Sequence, residues 1–346
     1  MRWEIRCSRA SSALSLRRLR LSFPLGDFEA MNVMRPNFWV TAALCVPLLC
    51  SCATRESDRP VLAAEAQLNK GAGSKDWLYL TLHLENGENL LFHVDTGAPV
   101  TVLDRSLEPQ LGKRLSATTC RYAWREMTGG IYKAPKLYLG DTRLWTSDTI
   151  WTADLESTNT AGQQVMGVLG MDCLRHYAIQ LDFAAARIRF LDPGQVAKEG
   201  LGRAFPLTVY PAGASGYVTV HQSFTGTKGV NPILDTGCLV DGVLEPKEFQ
   251  LELREQKAAW TNEYKYPTGF LRCTAFFPKA VFAGETYTNL TFDRAPALIG
   301  KSRTYYINAI GLPFLARHLV TLNFPQKTMY LRRTDVRPLA DQSVPP

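Results

Sequence analysis

The sequence predicts a mainly β protein made of two copies of one folding unit, with a few short helices. Three observations carry this. Short runs alternate apolar and polar residues between turn-forming clusters, the pattern of half-buried strands. The triplet Asp95-Thr96-Gly97 recurs as Asp235-Thr236-Gly237, each copy closing an apolar run, Leu90-Leu91-Phe92-His93-Val94 in the first and Pro232-Ile233-Leu234 in the second. At average residue usage such a triplet falls at roughly one position in 5,000, so a chain of this length holds about 0.07 copies by chance. Finally, the repeat keeps its register. An offset of 140 residues relates the two triplets, and one of 141 then places Val168-Leu169-Gly170 on Ala309-Ile310-Gly311, Leu174 on Leu315, Leu181 on Leu322 and Phe183 on Phe324. One insertion over such a length is what a duplicated unit shows.

Taken in order, residues 1–33 read as an extension rich in Arg and Ser, which a start at Met31 or Met34 would remove. Residues 34–52 read as a signal peptide. Phe38 to Cys50 is an apolar run too short to span a bilayer and long enough for a signal-peptide core. Leu49-Cys50-Ser51-Cys52 resembles a bacterial lipobox, which implies lipidation of Cys52; a plain secretory signal cleaved nearby is the alternative. Residues 53–74, polar and rich in small side chains, read as a tether. The first unit is expected over 75–197 and the second over 203–335, joined through Lys198–Arg203, with a tail at 336–346. Each unit is large enough for its own core.

Within the first unit, Trp77 to Leu84 alternates and Glu85-Asn86-Gly87-Glu88 turns the chain into the Asp95 strand. Gly129-Gly130 is expected to open a strand pair, Ile131 to Leu139 and Asp141 to Trp151. Gly216 to Phe224 alternates before the second triplet. Helices are expected at Pro246 with Lys247 to Trp260, where Pro suits the first turn, and briefly at Met171 to Tyr177.

The formal net charge is +7, but residues 1–51 carry seven Arg against three acids, which leaves +3 for the remainder. No nucleic-acid partner follows from that balance. Cys120, Cys173, Cys238 and Cys273 lie beyond Cys52 and are compatible with up to two disulfides in an oxidising compartment. No cysteine or histidine pair has metal-ligand spacing, so no metal or other cofactor is expected. No nucleophile elbow, phosphate loop or dinucleotide fingerprint is present. His93 shares a strand face with Asp95 and reads as a packed or solvated histidine.

Apolar-apolar-Asp-Thr-Gly followed in the same unit by apolar-apolar-Gly resembles the pepsin-like and retropepsin-like aspartic peptidases. Gly170-Met171-Asp172-Cys173-Leu174 is similar to the corresponding segment of the bacterial retropepsin-like group. The resemblance implies two homologous β-barrel-like lobes of the acid-protease fold and a polypeptide substrate. It further implies an endopeptidase whose water is activated between Asp95 and Asp235. Two carboxylates at about 3 Å cannot both ionise, so the pair supplies an acid and a base together. Thr96 and Thr236 would bond across to the other lobe, Gly97 and Gly237 would permit the sharp turn, and Gly170 and Gly311 would let a chain segment pass behind each loop. With both acids in one chain, a monomer suffices.

Two departures from the pepsin pattern stand out. Ala98 and Cys238 follow the triplets where a hydroxyl often bonds the carboxylate, and its loss predicts a milder pH optimum. A flap is expected at Gly129-Gly130, with Tyr132 or Trp124 as its aromatic contact, and Thr268-Gly269-Phe270 holds the matching place in the second lobe. The expected location is the bacterial envelope, by lipid anchor, on the periplasmic or outer face. The rival from another class is a non-catalytic lipoprotein that uses the same cleft to bind a peptide or envelope component. An enzyme acting on other amide bonds, such as cell-wall cross-links, is a third reading.

Overall fold

The structure is a computed structural model that describes residues 4–6, 62–74, 76–122, 125–159, 163–211, 216–226, 230–258, 260–265, 271–295, 298–299, 304–305 and 308–334. The expected signal peptide with Cys52, the first part of the tether and the tail at 336–346 lie outside these residues, as do Trp124 and Thr268-Gly269-Phe270.

The described chain is mostly β, arranged in two large sheets and one two-stranded pair. Six antiparallel strands form one end of the larger sheet. Their order is Arg203–Val209, Thr328–Arg333, His318–Asn323, Ala178–Asp182, Arg187–Leu191 and Ala64–Gln67. The first three come from the second half of the chain and the last three from the first. Where the halves meet, Gln180 pairs with Thr321 and its amide donates to the Thr321 hydroxyl at 3.1 Å. These two residues are repeat equivalents, so the two-fold relating the halves passes between them.

The same equivalence runs through the rest. In the first half Asn89–Val94 lies parallel to Gly167–Leu169, which pairs antiparallel with Val102–Asp104, itself parallel to Thr149–Ala153. In the second, Ile233–Asp235 lies parallel to Ala309–Gly311, which pairs antiparallel with Gly242–Leu244, itself parallel to Glu285–Arg294. Leu169 sits opposite Val94 and Ile310 opposite Leu234, the same register twice. These strands are buried on both faces, and their continuous apolar runs reflect that. Each half also carries a long hairpin, Ser116–Tyr122 with Arg125–Lys133 and Trp260–Lys265 with Leu271–Phe282. Phe224 packs edge-on to Phe292 and Phe314, with ring centroids 4.9 and 4.8 Å away, at the centre of the second half's core.

Several expectations are corrected. The segment read as a tether supplies the edge strand Ala64–Gln67, paired with Arg187–Leu191. Ala64, Leu68 and Ala72 are buried, so the folded body reaches back beyond residue 75. The strand has only 4 residues, Ala-Glu-Ala-Gln, too short an alternation to mark a strand from sequence. Within the expected upstream extension, Glu4–Arg6 pairs antiparallel with Ser116–Tyr122. The expected long helix spans only Pro246–Glu255, because Lys257 adopts a left-handed φ of 50° and Trp260 begins a strand. The shorter helix spans Met171–Leu174, with its equivalent at Leu312–Leu315.

If residues 62–74 belong to the body, Leu68→Ala should lower stability by about 2–4 kcal/mol, the usual cost of truncating a buried Leu. Urea unfolding reads this as a lower midpoint at constant slope. An unchanged midpoint would return the segment to the role of a tether.

Candidate active site

Each aspartate stands at the tip of a buried strand, Asp95 directly after Asn89–Val94 and Asp235 as the last residue of Ile233–Asp235. Their side chains are almost wholly enclosed, at 0% and 1% exposure. The chain then turns so sharply that the next backbone amides fold back on the acid. Gly97 N–H donates to Asp95 Oδ1 at 2.8 Å, and Gly237 N–H to Asp235 Oδ1 at 2.9 Å. Ala98 N–H and Cys238 N–H reach the carbonyls of the two aspartates, both at 3.2 Å. One loop is built twice.

The loops face each other. A Cβ placed on Gly97 would lie 2.7 Å from Asp235 Oδ1 and 3.0 Å from Asp95 Oδ1, and one on Gly237 would lie 2.8 Å from both Asp95 oxygens. The two carboxylates therefore converge on the glycines, and any side chain there would displace an acid. The threonines hold this approach reciprocally. Thr96 N–H donates to Thr236 Oγ1 and Thr236 N–H to Thr96 Oγ1, each at 3.0 Å. In turn Thr96 Oγ1 donates to the Leu234 carbonyl and Thr236 Oγ1 to the Val94 carbonyl, each at 2.8 Å. Both hydroxyls are buried, so every bond is made in a setting where leaving it unmade is costly.

Gly170 and Gly311 sit directly behind the loops. A Cβ on Gly170 would strike the Val100 carbonyl, and one on Gly311 the Val240 carbonyl. Beyond them Met171 N–H donates to Ala98 O at 2.8 Å and Leu312 N–H to Cys238 O at 2.9 Å, so each short helix ties back its own active loop.

Behind these ties lies a layer that the sequence reading missed. In the first half Asp172 Oδ1 accepts from the Thr101 N–H and hydroxyl, both at 2.7 Å, and that hydroxyl accepts from Gly170 N–H at 3.1 Å. In the second, Asp241 occupies the position equivalent to Thr101. Its carboxylate accepts from Arg317 at 3.3 Å and Thr291 N–H at 2.8 Å, while its carbonyl accepts from Gly311 N–H at 3.0 Å. Burial pushes both carboxyls upward, opposed by the Thr101 bonds at Asp172 and by Arg317 at Asp241. The available signal was positional, since Thr101 and Asp241 share one place in the repeat.

The electrostatics suit a shared proton. Burial raises Asp95 to about 7, and the neighbouring Asp235 adds to the rise, while the Gly97 and Ala98 amides oppose it. Cys238 does not bond the carboxylate; its thiol lies 3.7 Å from the Val240 carbonyl, and burial, then Asp235, pushes it up to about 12. Cys173, Cys238 and Cys273 are buried and none of these three is bridged to another; the Cys120 side chain lies outside what the structure describes. Trp77, also missed from sequence, donates its indole N–H to the Gly237 carbonyl at 2.9 Å and thus joins the first half to the second active loop.

The expected flap glycines lie elsewhere. Gly129 and Gly130 sit inside the strand Arg125–Lys133, opposite Thr118 and Ala117. A Cβ on Gly129 would strike the Thr152 carbonyl, and Gly130 N–H donates to the Thr152 hydroxyl at 2.8 Å. Close strand packing, not a flexible tip, accounts for this pair. Tyr132 is buried and hydrogen-bonded to Glu108. Among the described residues no cluster of three or more His, Cys, Asp or Glu is placed to hold a metal ion.

Residues 81–173 match the aspartyl protease family model. The matched stretch contains Asp95-Thr96-Gly97, Gly170 and Asp172, and it supports a peptidase relationship for the first half. Asp235 and its loop stand outside it and rest on the repeat and the geometry. No curated protein matches the chain.

Thr96→Val keeps shape and removes one hydroxyl that both accepts and donates. It should cost about 2–4 kcal/mol by stranding the Thr236 N–H and the Leu234 carbonyl, and Thr236→Val should match it by symmetry. Denaturant unfolding of both variants checks this; a loss confined to one would show that the grip is not shared.

Proposed function

We propose that the chain is a bilobal, single-chain aspartic endopeptidase with Asp95 and Asp235 as its catalytic pair. The observation that carries this reading is the convergence of two buried carboxylates on one point, with Asp95 raised to about 7. In that state the pair holds one proton. The ionised member takes a proton from water as the water attacks the peptide carbonyl, and the protonated member donates to the carbonyl oxygen. Charge is thereby neutralised as the tetrahedral species forms. When the C–N bond breaks, the leaving nitrogen takes the proton that the pair gained from water, and a hydroxyl of the tetrahedral species gives its proton to the other carboxylate as the product carbonyl forms, which restores the single shared proton. The threonine grip fixes the separation that this exchange needs, so little reorganisation is left for the reaction itself.

A single chain supplies both acids, which supports a monomer as the active form. A polypeptide is the substrate that the family match supports. We further propose attachment to a bacterial envelope membrane through Cys52, supported by the apolar run Phe38 to Cys50 and the lipobox-like Leu49-Cys50-Ser51-Cys52. No helix among the described residues is long and apolar enough to cross a membrane. Partition of wild type into detergent, and its loss in Cys52→Ser, tests the anchor.

The competing reading, a binding protein with the same cleft, separates cleanly by experiment. Cleavage of a mixed peptide pool should occur and be blocked by a transition-state-mimicking aspartic-protease inhibitor. Asp95→Asn and Asp235→Asn should each lower kcat by at least about 10²–10⁴-fold. Substantial cleavage by either variant would overturn the assignment, and binding without cleavage in wild type would favour the rival.

The pH dependence follows from the raised Asp95. Below about 7 Asp95 keeps its proton and the pair can act; as pH rises through about 7 the proton is lost and activity should fall. With Ala98 and Cys238 in place of hydroxyl donors, the optimum is expected above that of a gastric-type enzyme. A rate profile peaking below about pH 3 would contradict this.

A further inference from the structure

Two residues before Asp95, His93 is a buried titratable group that the proposed mechanism does not use. We propose that His93 is a positioning residue: its neutral ring braces Trp77 against the second active loop, and its protonation releases that brace and closes activity on the acid side. The inference deepens the peptidase reading and rests on it.

The geometry is specific. His93 is 0% exposed, and neither ring nitrogen has a hydrogen-bond partner among the described residues. Its ring lies 5.3 Å from that of Trp77, tilted by 40°, and 6.2 Å from that of Tyr79. Trp77 in turn holds the Gly237 carbonyl, two residues from Asp235. The arrangement belongs to one half only. The repeat places Ile233 where His93 stands and Tyr217 where Trp77 stands, and the Tyr217 ring packs on Tyr210 at 4.7 Å.

Few charged groups face this ring. Its strand neighbours are Tyr79 on one side and the apolar Val168 on the other. Asp95 lies two residues along its own strand, and Asp235 acts on it from the opposite loop. An imidazolium would bring two N–H donors and a full charge into an enclosed space where the described residues offer no hydrogen bond. Burial therefore lowers its pKa to about 4, and the pull of Asp235 only partly opposes this. The sign is that of a group held neutral in the fold. Its contribution to stability is complete above the ordinary histidine value of 6.5 and is lost as pH falls through about 4. Once charged, the ring must turn or leave, and its contact with Trp77 goes with it. The Gly237 carbonyl then loses its brace, and the second carboxylate its fixed place.

The test compares wild type, His93→Phe, which keeps an aromatic ring that cannot protonate, and Trp77→Phe, which loses the indole N–H. Wild-type kcat should fall as pH drops through about 4, and the acid limb of His93→Phe should move down by about one pH unit or more. Trp77→Phe should lower kcat several-fold at the optimum and flatten the acid limb, because the brace is already gone. Tryptophan emission supplies a readout independent of catalysis. A transition near pH 4 in wild type, moved lower in Asp235→Asn by loss of the opposing charge and absent from His93→Phe, is expected. If no protein cleaves peptide but that transition stands, the peptidase reading fails and the brace survives. Identical acid limbs in wild type and folded His93→Phe would overturn the proposal. Should His93→Phe not fold, a ¹³C-histidine titration of wild type decides it: a His93 signal that does not follow the acid limb overturns the role.

Discussion

The reciprocal pair of threonines is the constraint on which the rest depends. Thr96 and Thr236 each use backbone and side chain to bind the other's loop, and the four bonds close only if both loops reach the two-fold axis at the same depth. That requirement propagates outward. Each loop must be an identical turn, so a glycine follows each threonine. Each loop must be backed by a second chain segment in contact, so Gly170 and Gly311 carry no side chain. The halves must also share a continuous sheet, which Ala178–Asp182 and His318–Asn323 provide through the self-equivalent pair Gln180 and Thr321.

Within this common frame the two halves have diverged in what fills it. A buried carboxylate stands behind each active loop, yet it comes from Asp172 in one half and from Asp241 in the other. The partner changes accordingly, from the Thr101 hydroxyl to the Arg317 guanidinium. Both solutions meet the same demand: the backbone amides behind the loop need an acceptor, and an acceptor so deeply buried needs donors of its own. A short 3₁₀ turn at Arg105–Gln110 likewise occupies the place of the α-helix at Pro246–Glu255. The geometry of the pair is thus symmetric while its surroundings are not, so the two acids experience different fields.

The fold and the pair were largely legible because duplication makes sequence speak twice. A lone Asp-Thr-Gly is weak; two in register with Val168-Leu169-Gly170 and Ala309-Ile310-Gly311 fix strands, turns and their pairing. What stayed hidden was whatever lacked a duplicate or a period. Ala64–Gln67 is an edge strand of only 4 residues, and its signal was too slight to separate it from a tether. Gly129-Gly130 carried a true glycine signal with the wrong cause, since glycine marks close approach as readily as it marks a turn. Thr101, Asp241 and Trp77 act through neighbours distant in sequence, and no local pattern records such contacts; Asp172 lay in a local motif, but its bonds to Thr101 did not show there.

The burial of both acids is itself an argument about purpose. Enclosing two carboxylates side by side costs desolvation and mutual repulsion, and an apolar pair of similar volume would relieve both. The fold nonetheless aims two glycine amides at Asp95 and Asp235 and leaves Asp95 Oδ2 without a partner among the described residues. A site that only held a ligand would gain little from this, because one exposed carboxylate serves recognition at lower cost. Two enclosed carboxylates meeting between symmetric loops, with one lifted to about 7, are what the proposed proton exchange would require.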